Sequence, residues 1–193
     1  MKKYPLKITE SSFLADIITP VSAYLKLRDQ FANVLLLESS DYHGEEDSYS
    51  YICCDPIATF ETYQGISRCT YPDGSKEEIT SDPLRALKKF KSLFEYKKTK
   101  AKYIETGLFG YINYDAVVHF EEVKIREATS TPQEIPEIRY SLYSYLIVFD
   151  QFRNQCHVVK TYLNGSDNDV QGIIECLHRQ TTPSFTFDME GEI

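Results

Sequence analysis

Apolar residues follow two periods along this chain: recurrence every three or four positions marks helices, and alternation or short unbroken runs mark strands. Thr19-Pro20 opens the first helical stretch, with Pro in the first turn behind a Thr cap and Val21, Tyr24, Leu25 and Leu27 forming a stripe up to Asp29. Ser81-Asp82-Pro83 repeats the signal, and Leu84, Leu87, Phe90 and Phe94 follow at helical spacing with Lys88, Lys89 and Lys91 on other faces. A later helix, capped near Ser166 or Asp167, carries Val170, Ile173, Ile174 and Leu177 on one face, and Tyr114 to Glu122 predicts a short helix. Between these lie the strands. Val34 to Leu37 is an apolar run that opens into a polar loop containing Asp41, Glu45, Glu46 and Asp47. Tyr49 to Cys54, Ile57 to Tyr63 and Ile66 to Tyr71 predict an antiparallel meander, broken at Asp55-Pro56 and ended by the Pro72-Asp73-Gly74 turn.

Further along, Gly107 to Asn113 mixes small and aromatic residues, as expected of a strand whose glycines let another backbone come close. Glu121 to Arg139 is polar, contains Pro132 and Pro136, and reads as a long surface loop. Tyr140 to Asp150 and Cys156 to Leu163 are β-rich runs joined as a hairpin through Gln151 to Gln155. After Pro183 the sequence alternates weakly and closes no element, which suggests a cut rather than a natural terminus. The whole pattern predicts an α+β unit of mainly antiparallel sheet with a few packed helices.

Composition sharpens this picture. The 193 residues include 15 Tyr and 11 Phe but no Trp, an aromatic balance that favours sheet. A net charge of −8 argues against general affinity for nucleic acid or anionic membrane. The lysines continuing to Lys97, Lys98, Lys100 and Lys102 form a local basic cluster that suits a solvated helix end. No apolar run reaches the roughly 20 residues of a membrane helix, and none follows Met1 as a signal-peptide core, so a cytoplasmic protein is expected. The odd set of Cys53, Cys54, Cys69, Cys156 and Cys176 reads as buried thiols, and His43, His119, His157 and His178 are too scattered for a zinc site.

No catalytic constellation is visible: Gly107 and Gly110 do not form a phosphate loop, and no GxSxG, HExxH or Cys/His pairing occurs. The best local candidate for binding chemistry is the strand end at Leu37. There Glu38 and Ser39 stand opposite the returning Tyr49-Ser50 strand, a carboxylate suited to an ammonium group beside hydroxyls suited to a carboxylate. A strand-end capping pair is the plainer reading of the same residues.

Several blocks in order carry a family resemblance. They are Ala15 to Leu27, Leu35-Leu36-Leu37-Glu38-Ser39, Tyr49-Ser50-Tyr51-Ile52 with Asp55-Pro56, Asp82-Pro83-Leu84, and Gly107 to Asp115 followed by Phe120-Glu121. Together they resemble the N-terminal region of anthranilate synthase component I, a chorismate-using lyase subunit of tryptophan biosynthesis. The Gly-Tyr block is shared with aminodeoxychorismate (para-aminobenzoate) synthase component I of folate biosynthesis, which is the alternative, and a non-catalytic interaction module is another. The resemblance implies that residues 1–183 form the N-terminal domain and 184–193 begin the linker to a chorismate-binding domain. It further implies that catalytic residues and Mg2+ belong to that other region, so that this chain alone is catalytically inactive and presents it with an apolar face. In the complete enzyme it implies ammonia supplied by a glutamine amidotransferase subunit (component II), with anthranilate and pyruvate as products. This chain's implied part is the feedback site for L-tryptophan, drawn from Leu36, Leu37, Glu38, Ser39, Tyr49 and Ser50, with Glu38 receiving the ammonium.

Overall fold

The computed structural model describes residues 2–38, 48–123, 135–163 and 169–179. Within them a nine-stranded sheet is assembled around the long strands β3 (Tyr49–Tyr63) and β8 (Ile138–Asp150). The hydrogen-bonded order runs β5 (Lys76–Ile79), β4 (Ile66–Thr70), β3, β8, β9 (Gln155–Leu163), β1 (Tyr4–Leu14) and β6 (Phe94–Glu95). Two short strands attach to the centre, β2 (Leu35–Leu37) to β3 and β7 (Leu108–Ile112) to β8. Pairing is antiparallel throughout except between β1 and β6. The expected α+β class is therefore observed.

The helices begin where their caps dictate. In α1 (Pro20–Leu27) the Thr19 hydroxyl accepts from the Ser22 backbone N–H and the Ser22 hydroxyl accepts from that of Thr19, both at 3.1 Å. In α2 (Pro83–Lys91) the Asp82 carboxylate accepts from the Arg85 N–H at 2.8 Å. For α3 (Gln171–His178) the Asp169 carboxylate accepts from the Gln171 N–H at 2.8 Å, while Ser166 and Asp167 lie outside the described residues. Tyr114–His119 forms a 3-10 helix capped by Asn113, the short helix expected there.

Four expectations change. Phe94 continues the helical spacing of α2 but belongs to β6, because Tyr4 claims it: Tyr4 and Phe94 pair in register and their rings stack with centroids 5.7 Å apart. Asp55-Pro56 does not break the meander. Proline lacks an N–H to give the ladder, so β3 absorbs it as a bulge between Pro56 and Ala58, with Asp55 at φ 60°, and continues. The polar stretch ending at Arg139 already contains the first two residues of β8, and its centre, residues 124–134, lies outside the described residues. No element is predicted before Thr19, yet β1 runs eleven residues. Its Ser- and Thr-rich sequence hides it, and the ladder with β9 from Leu6↔Leu163 to Leu14↔Gln155 fixes it.

The sheet is covered on both faces. Ala23, Leu27, Ile173 and Leu177 from α1 and α3 pack on Ile52, Cys54, Ile147 and Val158. The opposite face buries Cys53, Tyr103, Phe109, Leu146, Val148 and Val159. A third cluster joins Ala86 and Phe90 of α2 to Phe60, Ile138 and Leu142. All five cysteines are free and buried, as expected. Burial pushes the Cys54 and Cys156 thiols up to about 12, which makes them inert. No helix of the described residues is long and apolar enough to cross a membrane.

Candidate functional site

The end of β2 and the start of β3 form the candidate site, and their register sets its geometry. Leu35, Leu36 and Leu37 pair with Cys53, Ile52 and Tyr51, so the next step of the register sets Glu38 opposite Ser50. Alternate residues of a strand point to opposite faces. Leu36 and Ile52 pack with the helices of the first cluster, whereas Leu35, Tyr49, Tyr51 and Cys53 join the second. Leu37 and Tyr49 thus share one face, and Glu38 and Ser50 the other. The residues singled out from the sequence wrap a strand end rather than line one wall. Ser39 lies outside the described residues.

Each described member has a distinct environment. Glu38 is exposed, with no hydrogen bond or ion pair seen among the described residues. Ser50 is fully buried, and its hydroxyl accepts from the Gln151 side-chain amide at 2.9 Å. Tyr49 is half-buried with its ring edge-on to Tyr103, centroids 6.0 Å apart. The neighbouring Tyr51 hydroxyl accepts from the Ile104 backbone N–H at 3.1 Å, and burial pushes its phenol pKa above the ordinary value. At the adjoining β8–β9 turn, the buried Asp150 carboxylate accepts from both the backbone N–H and the guanidinium of Arg153 at 2.9 Å. The strand end therefore offers a free carboxylate beside hydroxyl, amide and aromatic groups.

A recess beside the base of β2 escaped the sequence reading. It encloses about 160 Å³ between Asn33, Leu35, Phe109, Gly110, Arg139 and Tyr143, among others. The Arg139 guanidinium donates to the Asn33 carboxamide at 3.3 Å and lies 3.4 Å from the Glu61 carboxylate. Its volume is below the roughly 300 Å³ of an ordinary small-molecule pocket. The one sequence signal for it was Gly110. A Cβ there would lie 1.8 Å from the Arg139 carbonyl oxygen, so only glycine lets β7 reach β8 and close the recess.

Of the four scattered histidines, His43 lies outside the described residues and the other three have partners. His119 lies 2.8 Å from Glu137, His157 2.9 Å from Glu10, and His178 2.8 Å from the Ile174 carbonyl. Among the described residues no three His, Cys, Asp or Glu side chains are grouped to hold a metal ion.

Compared with known families, residues 33–187 match the family described as chorismate binding enzyme. The chain belongs to that family. Its relatives include the anthranilate synthase component 1 of Pseudomonas putida, 29% identical over 92% of this chain and 38% of that protein. Those of Saccharomyces cerevisiae and Thermus thermophilus are 32% and 31% identical over 74% and 77% of this chain, and 27% and 30% of theirs. The chain thus spans between 27% and 38% of the length of these relatives. A solved anthranilate synthase component I from Streptococcus pneumoniae aligns with 86% of this chain and 34% of its own, at 22% identity and a TM-score of 0.46. In this member of the chorismate binding enzyme family, then, the candidate site lies within the matched region.

Proposed function

We propose that this chain is the L-tryptophan-binding regulatory part of an anthranilate synthase component I. The observation that carries the reading is Glu38, an exposed carboxylate at the end of β2 in register with Ser50, in a chain whose relatives bear that name. An amino-acid zwitterion needs an acceptor for its ammonium, donors for its carboxylate and an apolar slot for its side chain. Glu38 takes the ammonium, Ser39 closes the site by hydrogen bonding, and Leu37 and Tyr49 line it from the other face of the strand end. Ser50, held by Gln151, keeps the β3 side of the site in place.

In the complete enzyme, ammonia from a glutamine amidotransferase partner adds to chorismate, and pyruvate is eliminated to leave anthranilate. We place that cytoplasmic, magnesium-assisted chemistry in the part of the relatives' length that this chain does not span. Tryptophan acts by binding more tightly to a state in which the two parts are poorly arranged for catalysis, and its differential affinity sets the degree of inhibition. The test uses the complete subunit and follows anthranilate formation. Ser39→Phe, which fills the slot, is expected to retain activity and lose inhibition by L-tryptophan. Full inhibition of that variant would contradict the assignment, and aminodeoxychorismate as product would place the protein in the folate branch.

A further inference from the structure

Where β8 changes neighbours, the sheet opens. Residues Tyr145 to Asp150 of β8 pair with β9, but Ile138 to Leu142 pair with β7. The far end of β9 stays with β1, and β1 turns to β6. A cavity of about 420 Å³ lies between these diverging strands, lined by Leu6, Phe94, Leu108 and Leu142 and by Leu87 and Lys91 of α2. That volume falls within the roughly 300–1,000 Å³ of small-molecule sites.

Beside the Tyr96 and Tyr140 hydroxyls, the lining carries two polar groups suited to an anion. Lys91 is exposed, and no partner for its ammonium is seen among the described residues. Thr106, also on the lining, is 3% exposed and accepts from the Thr161 hydroxyl at 2.9 Å, which leaves its own O–H proton for a further acceptor. The surrounding sequence is strongly basic in an otherwise acidic chain: from Lys88 to Lys102 seven lysines stand against the single acid Glu95, which is held by Lys3 at 2.8 Å. Apolar walls, an unspent ammonium, an unspent buried donor and a positive local field select one ligand chemistry.

We propose that this cavity binds a small aromatic carboxylate, its ring among Leu6, Phe94, Leu108 and Leu142 and its carboxylate between Lys91 and Thr106. The site is separate from the strand end at Glu38 and does not depend on the tryptophan reading. The probe is 2-naphthoate, titrated into the chain and followed by its own emission anisotropy, with the neutral 2-naphthamide as its isosteric control. Saturable binding is expected, with the amide about tenfold weaker because it forfeits a charge-assisted contact. Lys91→Gln, a surface change that leaves the fold intact, is expected to weaken naphthoate about fivefold and leave the amide unchanged. Leu87→Trp, checked for native circular dichroism, is expected to fill the cavity and abolish both. L-tryptophan is expected not to compete. Equal binding of acid and amide, indifference to Lys91→Gln, displacement by L-tryptophan, or no saturation below about 10 mM would each overturn the proposal.

Discussion

Gly110→Ala tests the geometry that brings β7 to the centre of the sheet. The added Cβ would lie 1.8 Å from the Arg139 carbonyl oxygen and 2.8 Å from both the Arg139 carbonyl carbon and the Tyr140 Cα, where ordinary contact begins at 3.4 Å. All three atoms are backbone of the paired strand β8, which is held on its other side by β3, so no side chain can swing away to make room. The strand β7 must retreat instead. It is joined to β8 by five register pairs and places Phe109, 7% exposed, against Tyr51 at 5.7 Å between ring centroids. Loss of about two ladder hydrogen bonds at ~1 kcal/mol each, with partial exposure of Phe109, amounts to about 3 kcal/mol. At a typical urea dependence of about 2 kcal/mol/M, the midpoint of urea unfolding falls by about 1.5 M. Gly107→Ala is the control, since its Cβ meets only Ile104 at 3.9 Å and is expected to change stability by less than about 0.5 kcal/mol. A Gly110→Ala midpoint within about 0.3 M of the parent chain would refute the close-approach argument.

Other outcomes follow from the same structure. Asp82→Ala removes the cap of α2 and is expected to cost about 1 kcal/mol in urea unfolding, an effect that Asp82→Ser largely restores. Thiols at Cys54 and Cys156, held near 12, leave roughly one thiolate in ten thousand at pH 8, so Ellman's reagent is expected to label them only in denaturant. Burial raises the phenols of Tyr51, Tyr103 and Tyr143, so the folded state holds their protons more tightly than the unfolded state. Their contribution is complete below the unfolded value of about 10 and is lost as pH rises beyond it, so these tyrosines are expected to ionise together with alkaline unfolding, as read by tyrosinate absorbance and circular dichroism.

The elements legible in the sequence were those with local signals. Thr19-Pro20 and Asp82-Pro83 announced α1 and α2 because a cap and a proline act within one turn. The β8–β9 hairpin was legible from two apolar runs flanking Gln151 to Gln155. Strand β1 was not, because its stability comes from partners about 150 residues away rather than from its own alternation. Phe94 shows the converse, a helical period overruled by a parallel pairing with Tyr4. At the site, Leu37, Glu38, Tyr49 and Ser50 were legible as neighbours across a hairpin. Their division between two faces needed the register, and the Arg139 recess needed the close approach at Gly110.

The proposed role of Glu38 is to anchor an amino acid at the end of β2. Titration of L-tryptophan into the 193-residue chain tests it directly, because the protein contains no tryptophan and the ligand's emission at red-edge excitation is read against a dark background. A saturable emission shift is expected, with an affinity of roughly millimolar or better, abolished by Glu38→Ala while the variant remains folded. A shift that Glu38→Ala leaves intact, or no saturable shift at all, would contradict it.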